Sequence, residues 1–356
     1  MPRRHAHPAL LSDPGWAPAT RAWLEERIRH GAGRGWPVAF DFDNTLVCGD
    51  VGEATLAWLV KHRRLRPETV AALTPPFRTA AGKRIEAARL ADLTAYYEAL
   101  LEGSGHGAAD PNPLTRGYLW AAEVLAGLGP NQVVRATVAA VASAREGEVR
   151  WLEITPGRTA YPRPWFYPAM VELIAVLLRH RFAVWIVSAS NVWSVRWMVL
   201  RVLNPQLRRL GAAEGIPPDQ VVGVAPLLRD RRSREFKDRV LVRTDAAYAR
   251  LEARALSGLR LTLRPDQPVP VYAGKVACLW DALGRAPYLA AGDSPSDLPM
   301  LAFAEHRLWM ARLEKPAATA AMRAVRSRAA HPENWAVQPV RTRGTPGLVP
   351  GMPDGY

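Results

Sequence analysis

Apolar and polar positions change period along the chain, and the changes mark its elements. Residues 38–40 form a short apolar run that ends in turn-forming polar residues, which predicts a buried strand. An amphipathic stretch at 22–30 predicts a helix leading into it. Beyond it, Ala54, Leu56, Leu59 and Val60 lay an apolar stripe along 52–63, and a longer helix is predicted over 79–101. Residues 103–113 read as a loop, 116–127 and 131–144 as further helices, and 149–155 as weak strand-like alternation. The pattern then changes. A helix is expected at 168–180, followed by a near-continuous apolar strand at 182–187 (FAVWIV), of the kind buried on both faces of a parallel sheet. A helix at 192–203, short strands at 221–224, 259–263 and 269–272, a helix at 276–283 and strands at 288–291 and 307–310 complete the series.

Strands alternating with helices predict an α/β fold, a doubly wound parallel sheet. The helices gathered after the first strand predict an inserted cap. The expected division is an N-terminal extension (1–35), an α/β core (36–50 and 165–325), a helical cap (51–164) and a C-terminal tail (326–356), Gly/Pro-rich and poorly ordered from about Arg341.

Composition narrows the classes. The 356 residues, 49% hydrophobic and 22% charged, suffice for a sizeable core and describe an ordinary globular chain. The formal charge of +14 admits a nucleic-acid partner. No long Lys/Arg block interleaved with aromatics accompanies it, and runs such as 229–235 are broken by acids, which favours charge spread over solvated surface. Two cysteines, Cys48 and Cys278, make neither a disulfide framework nor a metal-ligand spacing. No apolar leader follows the opening MPRRH, and the most apolar zone, 170–203, is cut by six charged or titratable residues. A secretory signal and a membrane span are therefore not expected, and a cytoplasmic location is. No feature specifies an oligomeric state.

Candidate chemistry sits at predicted strand exits, where open α/β sheets bind ligands. Asp41 and Asp43 follow the first strand at i and i+2, so in extended chain both carboxylates crowd one side. They need a compensating cation or a shared proton, and carboxylate oxygens suit Mg²⁺. Ser188 ends the FAVWIV strand, Gly274-Lys275 opens a helix, and Asp293 and Asp297 follow strand 288–291. Individually these are a turn, a helix cap and a surface lysine. Together they supply a nucleophile, cations for phosphate oxygens, metal ligands and a proton donor, the needs of phosphoryl transfer.

In this order DFDNT, VSAS, GK and GDSPSD resemble the haloacid-dehalogenase-like (HAD) superfamily of aspartyl-phosphate phosphatases, over residues 36–310. The helical insertion after the first motif resembles the phosphoserine-phosphatase-like branch, and 187–197 resembles its phosphorylcholine-phosphatase side. The resemblance implies a Mg²⁺-dependent phosphatase with Asp41 as nucleophile and Asp43 as general acid and base. It assigns metal binding to Asp41, the backbone carbonyl of Asp43 and Asp293, with Asp297 in support or orienting Lys275. Ser188, the Ala189 N–H and Lys275 would bind phosphate. A second Asp points to phosphate esters, since members that cleave carbon–halogen bonds lack it. One departure stands out: 86 residues separate Ser188 from Lys275, and the charged excess at 227–256 is expected to decorate the sheet edge.

Members with such caps bind a substrate amine through an acid just past the first motif. Asp50 and Glu53 are the candidates here, and both also suit a helix N-terminus. A small amino- or choline-bearing phosphomonoester is the expected substrate. The alternatives are a phosphatase for nucleic-acid ends or nucleotides, and a non-catalytic binding protein on the same fold.

Overall fold

A computed structural model describes residues 9–79, 81–87, 89, 92–101, 113–155 and 159–352. Its centre is a seven-stranded sheet: β1 (Pro37–Phe40), β2 (Ala183–Asn191), β3 (Val221–Val224), β4 (Leu289–Gly292), β5 (His306–Arg312), β6 (Trp335–Arg341) and β7 (Gly347–Leu348). The strands lie in the order β7-β6-β5-β4-β1-β2-β3, and every pair is parallel except β6 with β7. This is the doubly wound α/β arrangement that the alternation predicts. β1 sits mid-sheet between β2 and β4, where the direction of chain progression reverses and where such sheets place ligands.

Strand periodicity splits the core into two layers. Val38, Phe40, Val184, Ile186, Leu289, Ala291, Leu308 and Met310 face one side, with the helices Pro18–Gly31 and Pro168–Arg179 packed on them. Ala39, Trp185, Val187, Ala290, Trp309 and Ala311 face the other, covered by Ala273–Leu283, Leu298–Phe303 and Pro316–Ser327. Both faces are apolar, so the strands read as unbroken apolar runs.

Between β1 and β2 the chain leaves the sheet. Helices Val51–Lys61, Pro67–Leu73, Leu93–Leu101, Pro113–Glu123 and Pro130–Val141 form there, with a hairpin of Trp151–Thr155 and Thr159–Pro162. Among the described residues no helix is long and apolar enough to cross a membrane.

Several expectations need correction. The helix expected over 79–101 is confined to Leu93–Leu101; Phe77–Arg78 and Arg84–Ile85 instead pair as a hairpin, turning at Gly82 with φ of 79°. The strand expected at 269–272 is absent, because Pro268 and Pro270 remove ladder donors. The loop expected at 103–113 lies outside the described residues up to 112.

The segment expected to decorate the sheet edge is instead a small antiparallel sheet, Glu235–Phe236, Pro226–Arg229 and Arg260–Pro265, with three short helices. Its strand 259–263 therefore does not join the main sheet. Leu228, Tyr248, Leu256 and Leu261 share one apolar cluster with Leu56, Leu59, Leu100 and Trp120 of the insert. Backbone bonds from Gly127 N to Leu261 O (2.8 Å) and Leu261 N to Leu128 O (2.9 Å) stitch the two together.

The described residues 9–35 and 335–349 pack into the fold rather than standing apart from it. β6 and β7 extend the sheet through the expected tail. The N-terminal helix lies against β6, where Thr20 Oγ1 donates to Val337 O at 2.7 Å. Buried Gln338 joins both ends: its Oε1 accepts from Ala17 N (2.9 Å), and its Nε2 donates to Gly15 O (3.1 Å) and Val349 O (2.9 Å). Replacing it by leucine strands these groups at about 1–3 kcal/mol each. Gln338→Leu is expected to lower the urea midpoint with an unchanged m-value. An unmoved midpoint would show that the ends do not belong to the core.

Candidate active site

The site starts from strand alternation at the exit of β1. Phe42 turns into the core and meets Phe166 edge to face at 5.6 Å. Asp41 and Asp43 therefore face the opposite way, both nearly buried. The chain then folds back: Leu46 N and Val47 N both donate to Phe42 O, and Asn44 takes φ of 58° with its N–H on Gly49 O. Asn tolerates this left-handed geometry better than most residues. Thr45 is thereby carried beneath the acids, with Oγ1 3.0 Å from Asp41 Oδ2 and 3.2 Å from Asp293 Oδ1.

Lys275 lies in the first turn of Ala273–Leu283, an unfavourable end of a helix for a cation. Two carboxylates hold it there. Its Nζ is 2.5 Å from Asp41 Oδ1 and 2.6 Å from Asp297 Oδ1, and the side chain is fully buried. Burial pushes the ammonium pKa down, but Asp297 and Asp41 outweigh it and the net direction is up. The preceding Gly274 is forced: a Cβ there would fall 1.7 Å from Val269 O.

Asp293 and Asp297 follow β4. The turn is knitted by Asp297 Oδ2, which accepts from Asp293 N (3.1 Å), Ser294 N (3.0 Å) and Ser294 Oγ (2.9 Å). Gly292 has no room for a side chain, since its Cβ would meet Asp297 Cβ at 2.5 Å. Asp41, Asp293 and Asp297 each offer an oxygen within 4.8 Å of the others. Arg312, at the end of β5, brings Nε to 2.9 Å from Asp293 Oδ2. The contact lacks hydrogen-bond geometry, so buried Asp293 Oδ2 has no hydrogen-bond partner among the described residues. Burial pushes the Asp293 carboxyl up to about 6, with Arg312 pulling it back. Asp41 is raised by burial and by Asp297, against the pull of Lys275.

Asp43 has a separate environment. Its Oδ1 accepts from Val51 N (2.7 Å), and its Oδ2 accepts from Ser190 Oγ (2.7 Å) and Ser188 Oγ (3.1 Å). Burial raises its pKa, with Asp50 and Asp41 adding. The two serines reach it because β2 breaks register against β3 between Val187 and Asn191, so residues 188–190 bulge from the ladder. Gly52 allows the approach of Ser190, whose Oγ would lie 2.5 Å from a Cβ there.

The structure thus gathers Asp41, Asp43, Lys275, Asp293 and Asp297 at the exits of parallel strands. Of these, the side chain of Asp43 stands outside the three-carboxylate cluster. Ser188 adjoins them, although its hydroxyl is turned to Asp43. Asp41, Asp43 and Asp293 floor a cleft of about 660 Å³ that Asp50, Glu53 and Ala189 also line. Asp50 caps the helix Val51–Lys61, accepting from Glu53 N at 2.8 Å, and borders the cleft as well. The Glu53 carboxyl makes no hydrogen bond among the described residues; burial and Asp50 raise its pKa.

Sequence reading missed Ser190, Arg312, Glu98 and Tyr161. Ser190 shares a strand face with Ser188, and Arg312 is another polar strand exit, so both had a signal. Tyr161 donates to Glu98 Oε1 at 2.9 Å across the insert, a pairing with no sequence signature. The sequence also offers aromatics near the insert and the second strand exit (Trp58, Tyr96, Tyr97, Tyr118, Trp120, Trp165, Trp193 and Trp197), and most are packing: Trp120 Nε1 bonds Leu73 O and Trp193 Nε1 bonds Tyr248. Tyr118 alone among them lines the main cleft.

No protein-family model matches the chain, and no curated protein does. A solved structure of a conserved, functionally unknown protein from Anaerococcus prevotii DSM 20548 is similar over 98% of this chain and 100% of that one, with 16% identity and a TM-score of 0.64, which shows the fold. A substrate-bound phosphoserine phosphatase complex is similar over 80% and 89% of the two chains, with 14% identity and a TM-score of 0.37. A HAD family hydrolase from Salmonella enterica serovar Typhi is similar over 87% and 77%, with 15% identity and a TM-score of 0.36. Scores this low leave function to the geometry.

Removing one member of a buried ion pair costs about 3–5 kcal/mol. Lys275→Met is expected to lower unfolding free energy by that order in urea. Because the Lys275 and Asp297 charges compensate each other, Lys275→Met with Asp297→Asn should cost less than the two single changes summed. Strict additivity would contradict the pairing.

Proposed function

We propose that this chain is a Mg²⁺-dependent phosphomonoesterase in which Asp41 takes up the phosphoryl group. The observation that supports this most is the buried Lys275 ammonium bridging Asp41 and Asp297, with Asp293 beside them at strand exits. A binding protein has no need for so many buried charges at one point, and each is costly unless paired.

The residues present fit a hard divalent cation. Asp41 and Asp293 supply carboxylate oxygens, and buried Asp293 Oδ2 lacks a hydrogen bond, a donor set that suits Mg²⁺. The Asp43 backbone carbonyl is the further ligand we assign. Asp297 is saturated by Lys275 and the 293–294 turn, so it orients the site. Bound Mg²⁺ would supply charge neutralisation for phosphate oxygens.

In the proposed reaction an Asp41 carboxylate oxygen attacks phosphorus as the ester P–O bond breaks. Asp43 gives its proton to the leaving alkoxide oxygen. Asp43 then takes a proton from water, whose oxygen attacks phosphorus; the bond to Asp41 breaks and inorganic phosphate leaves. Lys275 holds Asp41 in place and offsets charge on the transferred group. The Ala189 N–H and the Ser188 hydroxyl are the remaining phosphate donors. Ser188 must rotate from Asp43 to serve, whereas Ser190 can keep Asp43 oriented.

Asp50, Glu53 and Glu98 make the insert side of the cleft acidic, and Tyr118 and Tyr161 add aromatic surface. Acids beside aromatic rings favour a cationic leaving group, so a small amino-bearing phosphomonoester is the substrate class we assign. The same acids oppose a polyanion such as a nucleic-acid end.

Asp41→Asn should fold as the parent does by circular dichroism and lose p-nitrophenyl phosphate turnover by at least about a thousandfold. EDTA should abolish turnover in the parent, and added Mg²⁺ should restore it. Retained turnover in either case would sink the mechanism. A roughly tenfold preference for a nucleotide or sugar phosphate over phosphoserine, phosphoethanolamine and phosphorylcholine would overturn the substrate class.

A further inference from the structure

The end of β5 and the turn between β6 and β7 supply a second charged wall to the cleft: Arg312, Lys315 and Arg343, with Glu314 and Thr342. Glu314 is fully engaged. Its Oε1 accepts from Thr342 N and Arg343 N, both at 3.0 Å, and its Oε2 accepts from Thr342 Oγ1 at 2.9 Å. This clamp fixes the β6–β7 turn against the end of β5 and uses up the one acid on that wall. Leu313 N donates to Val340 O at 2.9 Å and braces the same junction.

Arg312 has Asp293 beside it, but Lys315 and Arg343 have no ion pair or side-chain hydrogen bond among the described residues. Many surface arginines differ in this respect: Arg229, Arg234, Arg250 and Arg254 each meet a carboxylate. Lys315, next to Glu314 after β5, and Arg343, in the β6–β7 turn, are exposed cations on the wall of the cleft that contains Asp41, and Lys315 lies close enough to Glu53 to pull that acid's pKa down. The transferred phosphoryl group already has Lys275 at the strand exits. A leaving group that is only neutral or cationic would make no use of Arg343 and would leave Lys315 with Glu53 alone.

We propose that Lys315 and Arg343 form an anion subsite for a second negatively charged group on the leaving portion of the substrate. The inference rests on the phosphomonoesterase reading and adds a requirement to it. The cleft then has two chemically distinct walls: acids from the insert for a cation, and bases from the C-terminal strands for an anion. A carboxylate and a second phosphate share the needed chemistry, several oxygens around one charge, and matched substrates separate them.

The experiment compares kcat/KM within two pairs: phosphoserine against phosphoethanolamine, and propane-1,3-diol bisphosphate against propyl phosphate. The proteins are the parent, Lys315→Ala, Arg343→Ala and the double variant, with p-nitrophenyl phosphate as a general reporter. The parent should prefer the anion-bearing member of one pair by about tenfold, mainly through KM, and that pair identifies the anion. The preference should shrink in each single variant and approach unity in the double. No preference in the parent, a preference unchanged in the double variant, or an equal loss on both members of each pair overturns the subsite. The last result would assign the two cations to the transferred phosphoryl group instead. If the parent turns over none of these esters, the phosphatase reading fails and the subsite with it. Turnover of p-nitrophenyl phosphate without discrimination removes the subsite alone.

Discussion

The arrangement depends on one buried cation. Four carboxylates, Asp41, Asp43, Asp293 and Asp297, converge where the β1 and β4 strands end, in a region nearly closed to water. Like charges at such spacing repel strongly in a medium of low dielectric, and desolvation adds to the cost. Lys275 between Asp41 and Asp297, with Arg312 against Asp293, is the compensation the protein itself supplies. Compensation is partial: three acids still offer oxygens to a common point, and one oxygen has no hydrogen bond. A site left short of positive charge in this way would accept the metal ion that the proposed reaction requires.

The fold makes that convergence attainable with little local strain. Parallel strands all deliver their ends to one edge, so residues far apart in the chain meet without long loops. Where backbones come closest, the chain uses glycine: Gly292 against Asp297, Gly274 against Val269 and Gly52 against Ser190. The bulge at 188–190 serves the same end by lifting two hydroxyls from the ladder toward Asp43. Packing around the site is equally connected. The insert between β1 and β2 shares its apolar cluster with the segment 226–265, so the acidic wall of the cleft rests on both.

Much of this was legible in the chain. β1, β2 and β4 are fully apolar runs ending in polar residues, and that change of pattern marks both the sheet and the site. Asp41, Asp43, Lys275, Asp293 and Asp297 were identifiable because each follows a strand or opens a helix. What sequence concealed was long-range pairing. Gln338 in 335–341 gives no local hint that it will bond Ala17 and Val349, so β6 and β7 passed for a tail. The segment 227–256 looked like decoration because Arg229, Arg231, Arg232 and Arg234 are exposed at a hairpin tip while Leu228, Tyr248 and Leu256 are buried. The contact of Arg312 with Asp293 was hidden by the same logic, since Asp293 follows a neighbouring strand, although Arg312 itself carried the signal of a polar strand exit.

Acid-quenched labelling with p-nitrophenyl [³²P]phosphate and Mg²⁺, followed by peptide mapping, addresses the central claim most directly. An acyl phosphate survives acid and is cleaved by hydroxylamine. The account predicts a hydroxylamine-labile label on the peptide that contains Asp41, and none in Asp41→Asn. Label on a different residue, or steady hydrolysis by the parent with no labelled protein at any quench time, would contradict it.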